Sequence, residues 1–555
     1  MFRPPSRRLP VATTAATALV ALLAGCSGAA SAEVVDRGPV RGGTLVYATD
    51  REPTCLDPHN SGDMPQTYVA RQYLDSLVSL QADGSVVPWL ATSWTISDDG
   101  TQYDFTLKEG VEFHDGTPLD AQAVVDNFTQ ILDPATQSST DLLYLTGYFE
   151  SATALSEHVV RIDLSRPYSP LLAALSQAFF GIESPKAMAR GLEENCESPV
   201  GTGPFEVVAW NHGRDGQLVR NDDYDSAPAD AKHQGPAYLD GITWRFLKDN
   251  TTRYGALGSG EADVIFNVPP ESQQLAEADP AISLQEFVHS SSPFSLDLNT
   301  TSPVFDDIRV RKAFVHASNA RAAVESAYAG VFPYEGDAVS SGTPHYDETY
   351  HEPFPYDPDE ANRLLDDAGW TGRDEDGHRT KDGESLTVRL PYNADGAETP
   401  PADLTILQNI QAMEKEVGIE VDLEALDSAS MNAVWGDPDA YDLIGNYWNS
   451  PTPHVMYIKY SKATLDVGNG QNSAFASDDE LDRVLIAGTA TTDPTEQAAL
   501  YSEAQRILTS KAWSLPLYPI QTRLGISNRV KDVWIEPSEG EPVLSDAYFV
   551  DGGDR

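Results

Sequence analysis

The 555-residue chain carries 11 histidines, three cysteines and 85 acidic residues, and their spacing limits the chemistry open to it. No G-x-S-x-G elbow, H-E-x-x-H pair or phosphate-binding G-x-x-x-x-G-K-[ST] loop occurs. The spacings that activate a serine, hold a catalytic zinc or cradle a nucleotide are therefore missing. His351-Glu352 is followed at once by Pro353, which is incompatible with a helical metal pair. His114, His345 and His454 stand alone, and an isolated histidine is more often structural than a ligand. His454 is the one to watch for metal, because it follows an aromatic stretch closely. With 85 carboxylates some pair always looks catalytic, so none is singled out. We expect no catalytic residue, no metal and no cofactor. Binding chemistry remains. In Asn446-Tyr447-Trp448-Asn449 an indole offers a large flat face and one donor, flanked by amides. Asp63 either meets a cation or caps the helix that begins after it.

Acids outnumber Lys and Arg 85 to 37, a formal charge of −48. That sign opposes binding to nucleic acid or to an anionic membrane surface. It favours cationic solutes slightly, but an acidic surface is more often a solubility or salt-tolerance feature. The length calls for two or three lobes.

The N-terminus reads as a targeting segment. Arg3, Arg7 and Arg8 precede the apolar run from Val11 to Leu23, which has the length of a signal core and is too short to span comfortably. Leu23-Ala24-Gly25-Cys26 resembles a bacterial lipobox. It implies cleavage before Cys26 and a lipid anchor there, followed by a Ser/Ala/Gly-rich tether. Export places Cys55 and Cys196 in an oxidising setting, where a disulfide between them is expected.

The elements alternate between strand and helix signals, an α/β pattern. Residues 42–50 form an opening strand, and a helix is expected through Val69, Tyr73, Leu74 and Leu77. Tyr103, Phe105 and Leu107 alternate with polar residues as in a half-buried strand, and Val111 and Phe113 continue that face. His114-Asp115-Gly116 breaks the chain, and Asp120 caps a helix carrying Val124, Val125 and Phe128. Later strands are expected at 293–299, 386–390, 419–426 and 441–447, with helices at 404–417, 478–489 and 496–508.

Residues 90–128, LATSWTISDDGTQYDFTLKEGVEFHDGTPLDAQAVVDNF, resemble the signature of the family 5 extracellular solute-binding proteins, the peptide/nickel-type receptors of ABC importers. Leu56-Asp57-Pro58, PVGTGPF at 199–205, the helix at 306–317 and LPLY at 515–518 extend the likeness over nearly all of 42–549. The family implies an α/β fold, a two-lobed periplasmic-binding-protein-like clamp of class II with an additional subdomain. It also implies a division into signal peptide 1–25, lipidated tether 26–41, lobe I from 42–88, 199–295 and 516–555, lobe II from 89–198 and lobe III from 296–515.

The implied function is that of a membrane-anchored extracytoplasmic receptor and not an enzyme. It would bind a small-molecule or peptide solute between its lobes and hand it, as a monomer, to the permease and ATPase subunits of an importer. By family the solute is an oligopeptide or peptide-like molecule; a sugar, an opine or a metal chelate is the alternative. A lipid-anchored hydrolase is the competing class, disfavoured by the missing motifs. The resemblance places Trp448 on the solute, with Tyr447, Asn446, Asn449 and Tyr392 beside it, and turns Ser61, Gly62, Asp63 and Met64 toward the cleft. Peptide-binding relatives carry an acid three residues after this tryptophan, where Pro451 stands here. Dipeptide-type relatives carry an arginine in the loop after the strand ending at Asn393, and none stands there. Both clamps for a short zwitterion are thus missing at those positions, which disfavours a free dipeptide.

Overall fold

The computed structural model describes residues 38–60, 62–396, 398–467 and 471–553. Cys26, the export segment and Ser61 lie outside the described residues. Among the described residues no helix is long and apolar enough to cross a membrane.

The opening strand Thr44–Thr49 buries Leu45 and Tyr47 and becomes the centre of a seven-stranded sheet. It runs parallel to Gly241–Phe246 on one side and to Val264–Phe266 on the other. Asp215–Arg220 and Phe205–Asn211 extend one edge; Gln521–Ser527 and Ile282–Val288 extend the other. Three distant passes of the chain therefore make one lobe. Tyr47 stacks on Trp244 at 4.1 Å between ring centroids inside it.

A second body follows. Ala91–Ile96, Gln102–Leu107, Val159–Leu164 and Phe149–Ser156 form an antiparallel four-stranded sheet under the helix Ala121–Leu132. The Asp120 side chain accepts from the Ala123 N–H at 2.8 Å and starts that helix. The strand stops at Leu107, although Val111 and Phe113 remain buried. Gly110 takes φ +81°, and Phe113 N–H bonds the Thr117 carbonyl, so the apolar pattern continues through a turn. Sequence alternation cannot distinguish a buried turn from a strand.

The first helix is also shorter than its apolar pattern. It spans Met64–Ala70 and does not reach Leu77. The carbonyls that would extend it are taken by the PVGTGPF segment: Gly203 N–H bonds the Tyr73 oxygen and Phe205 N–H the Gln72 oxygen, each at 3.0 Å. A Cβ at Gly201 would stand 1.9 Å from the Tyr73 oxygen, so only glycine lets these backbones meet. His114 closes the same junction, its Nε2 donating to the Gly203 carbonyl at 2.9 Å.

The third body centres on Phe294–Leu298, paired antiparallel with Leu443–Asn446 and Ser514–Tyr518. Beside it Thr387–Asn393 and Glu420–Leu426 run parallel, joined by the helix Pro401–Val417. The LPLY strand thus belongs here; the chain re-enters the seven-stranded sheet only at Gln521. Residues 289–293 and 519–520 cross between the bodies side by side, His289 N–H bonding the Ile520 carbonyl at 3.0 Å. Two adjacent strand-to-strand connections of this kind form a hinge.

Candidate functional site

A cavity of about 450 Å³ lies between the bodies, close to these crossings. Gly62, Asp63, Met64, Tyr392, Asn446, Tyr447, Trp448 and Asn449 all line it. Phe179 enters from the second body, and Trp435 and Met431 from a short helix of the third. The chain reaches the wall wherever a strand ends: Arg51 after the opening strand, Asn393 after Thr387–Asn393, and residues 446–449 after Leu443–Asn446. Strand ends in α/β sheets leave backbone and side chains facing a crevice.

Trp448 is half-buried, packed against apolar side chains of both the second body and the helical cluster of the third. Its ring edge lies 3.7 Å from where a Cβ on Gly62 would stand. A side chain at Gly62 would also strike Ser139 at 2.8 Å, so glycine keeps this meeting of bodies close. Asn446 serves structure more than contact. Its amide nitrogen donates to Ser473 Oγ at 2.8 Å and to the Gln471 carbonyl at 3.0 Å.

Asn449 is oriented by the hinge. Thr522 Oγ1 donates to the Gly540 carbonyl at 2.9 Å and so accepts from His289 Nε2 at 2.8 Å. His289 Nδ1 then accepts from Asn449 Nδ2 at 2.9 Å. Burial holds the His289 pKa down at about 3, which keeps the ring neutral and this relay intact. The Asn449 side-chain Oδ1 is left buried with no partner among the described residues.

The cavity is charged: Asp63 is joined there by Arg51, Glu398, Asp403 and Glu539, none of which the sequence singles out. Arg51 Nη1 contacts both oxygens of Glu398. Burial opposes the guanidinium charge, yet Asp63, Tyr447 and Glu398 together hold its pKa above the ordinary value. Burial lifts the Asp63 carboxyl to about 6 against the pull of Arg51. Asp63 also occupies the N-cap position of Met64–Ala70, where its N–H donates to Gln66 Oε1 at 3.0 Å. Deeper in, Asp403 accepts from Tyr328 and Tyr518 hydroxyls at 2.6 and 2.7 Å, and burial raises its pKa to about 6. Glu539 lines the cavity too, lifted to about 8 by burial and then by Glu536. Pro451 and the loop after Asn393 supply neither clamp, but a guanidinium arrives from Arg51 and carboxylates from Asp63, Glu398, Asp403 and Glu539. Glu398 lay within the loop read as lacking an arginine, and Arg51 directly follows the opening strand; no residue pattern pairs them across the chain.

His454 is fully buried among Tyr144, Tyr148, Tyr168 and Tyr457, its Nε2 donating to the Leu143 carbonyl at 3.2 Å. It is a core residue, and among the described residues it joins no cluster of metal-ligating groups. His345 stacks on Tyr501.

The model of the bacterial extracellular solute-binding proteins, family 5 Middle, matches residues 85–466. The chain belongs to this family. It is 29% identical over 504 residues to the glutathione-binding protein GsiB of Escherichia coli K12, covering 89% of this chain and 93% of that one. The GsiB of Shigella flexneri serotype 5b is 30% identical over 505 residues with the same coverage. Among solved structures, DppA of Helicobacter pylori bound to the peptide STSA superposes with a TM-score of 0.79 at 24% identity, covering 92% and 99% of the two chains. NikA of Brucella suis with Fe(III)-EDTA gives 0.76 at 26% identity, covering 91% and 99%. The fold is that of the two-lobed periplasmic binding proteins, and the family's members are receptors of ABC importers, not enzymes.

Proposed function

We propose that this family 5 receptor captures a short, doubly charged peptide-like solute and delivers it to the permease and ATPase of an ABC importer. The observation that carries this is the placement of Arg51 and Asp63 in one cavity with Trp448. Arg51 spends Nη1 on Glu398, and its Nε and Nη2 carry three further N–H donors suited to a solute carboxylate. Asp63 is matched to an ammonium group. Trp448 and Tyr392 supply flat surface for the body of the solute. A volume of about 450 Å³ suits a small ligand and leaves no room for a long peptide.

The relatives named for binding glutathione accord with this class, because that molecule carries carboxylates, an ammonium and two amides. The charges a free dipeptide needs are present in the cavity, so the two missing clamps no longer count against it. Solute binding excludes water between the bodies, and the crossings at 289–293 and 519–520 convert that energy into closure.

In this reading the receptor works outside the cytoplasm as a monomer, tethered by diacylglycerol on Cys26. Replacing Cys26 with Ala is expected to release it from the membrane; a native protein with an uncleaved N-terminus would refute the anchor. For the cargo, native mass spectrometry of the purified protein should find a retained molecule with at least one carboxylate and one amine. A neutral sugar in that place would overturn the assignment.

A further inference from the structure

Away from the cavity, three groups that can bind metal meet in a fully buried place. Asp57, His59 and Glu183 each have no exposed surface, and one ligating atom of each lies within 4.8 Å of the other two. The ligands come from two bodies: Asp57 and His59 from the Leu-Asp-Pro loop, Glu183 from the segment before Ser184 in the second body. Positions this far apart carry no motif, so sequence inspection found no metal site.

The hydrogen bonds define which lone pairs converge. His59 Nε2 lies 2.9 Å from the Gly181 carbonyl, which only accepts, so Nε2 carries the proton. Gln130 Nε2 donates to Asp57 Oδ2 at 2.8 Å and stands 3.4 Å from His59 Nδ1. Nδ1 therefore faces a donor and presents a lone pair. Asp57 Oδ1 is 3.6 Å from it. Asn195 Nδ2 donates to Asp57 Oδ2 at 2.8 Å and to Glu183 Oε2. Glu183 Oε1 is buried with no partner among the described residues. A buried carboxylate oxygen without a partner is costly. An imidazole whose other nitrogen donates to a backbone carbonyl is the usual arrangement of a metal ligand.

We propose that Asp57, His59 and Glu183 bind one divalent transition cation of zinc's kind, through an imidazole nitrogen and two carboxylates. This ligand set suits Zn²⁺ or Mn²⁺ better than calcium, which wants six or more oxygens. The cation would tie the loop leading into Gly62, Asp63 and Met64 to the second body, beside the Cys55–Cys196 bridge.

The test uses the full mature chain, stripped with EDTA and titrated with Zn²⁺ and Co²⁺. The expected result is one tightly bound Zn²⁺ per chain and visible Co²⁺ bands typical of mixed nitrogen–oxygen ligation. Glu183→Gln should weaken Zn²⁺ binding by more than about tenfold, while Asp63→Asn in the solute cavity should leave it unchanged. The Co²⁺ spectrum of the unmutated chain decides the matter even if the variant folds poorly. Absence of stoichiometric metal, a Co²⁺ spectrum without nitrogen ligation, or metal binding lost in Asp63→Asn and kept in Glu183→Gln would overturn the proposal. None of these outcomes bears on which solute the cavity takes.

Discussion

Arg51 Nη1 lies 3.0 Å from Glu398 Oε1 and 3.1 Å from Oε2, joining residues 347 positions apart across the cavity. The two side chains are 28% and 42% exposed, so the pair by itself stabilises the fold little. In the proposed function the pair holds a guanidinium ready for a solute carboxylate. Arg51→Ala is expected to weaken solute binding by about 1.5–3 kcal/mol, the scale of a hydrogen bond to a charged group. The melting temperature of the solute-free protein should barely move. Calorimetric titration and thermal unfolding of the same preparation separate the two effects.

Asp63 gives binding a pH dependence of defined sign. Its carboxyl is raised to about 6, so it is mostly ionised at pH 7.5 and mostly protonated at pH 5. Affinity for a solute ammonium should therefore fall as pH drops through 6. An ammonium stabilises the ionised form, so binding near pH 6 should release a proton. Asp63→Asn is expected to flatten the profile. Titrations in buffers of different ionisation enthalpy measure the proton count.

Trp448→Ala should weaken binding by about 1–3 kcal/mol, as when one aromatic anchor is lost. The indole also packs against two apolar clusters, so some loss of stability is expected alongside. Trp448→Phe should restore stability before it restores affinity. Equal loss of both in Trp448→Ala, with full affinity in Trp448→Phe, would make the residue a packing element only.

Cys55 and Cys196 are joined in a disulfide with their Cα atoms 4.5 Å apart, closing 141 residues of chain. In the chain-entropy model a loop of that length contributes about 5 kcal/mol, less any native strain. Replacing both with serine should lower the denaturation midpoint strongly while solute affinity changes less. Thiol titration of the unreduced, denatured mature chain should find neither sulfur reactive.

The sequence showed the scaffold more clearly than the charges of the site. The 90–128 signature, PVGTGPF and Leu-Asp-Pro are local patterns, each fixed by turn chemistry that short stretches reveal. The Trp448 stretch was legible for the same reason: an aromatic run directly after a strand. Arg51 and Glu398 were not, because their meeting depends on how two bodies close on each other. Asp57, His59 and Glu183 share that property. The helix that stops at Ala70 shows the converse: its apolar pattern continues to Leu77, but Gly203 and Phe205 take the carbonyls it would need.

The most direct test is calorimetric titration of the purified receptor with a matched series. It comprises glutathione, free tripeptides, the same tripeptides acetylated at the amine, the same amidated at the carboxylate, and free dipeptides. The account predicts micromolar or tighter binding of at least one free tripeptide-sized solute. It predicts a loss of at least about tenfold on blocking either charge, and no further loss from amidation in Arg51→Ala. Blocked and free forms binding equally, or a neutral sugar binding tighter than any of them, would contradict it.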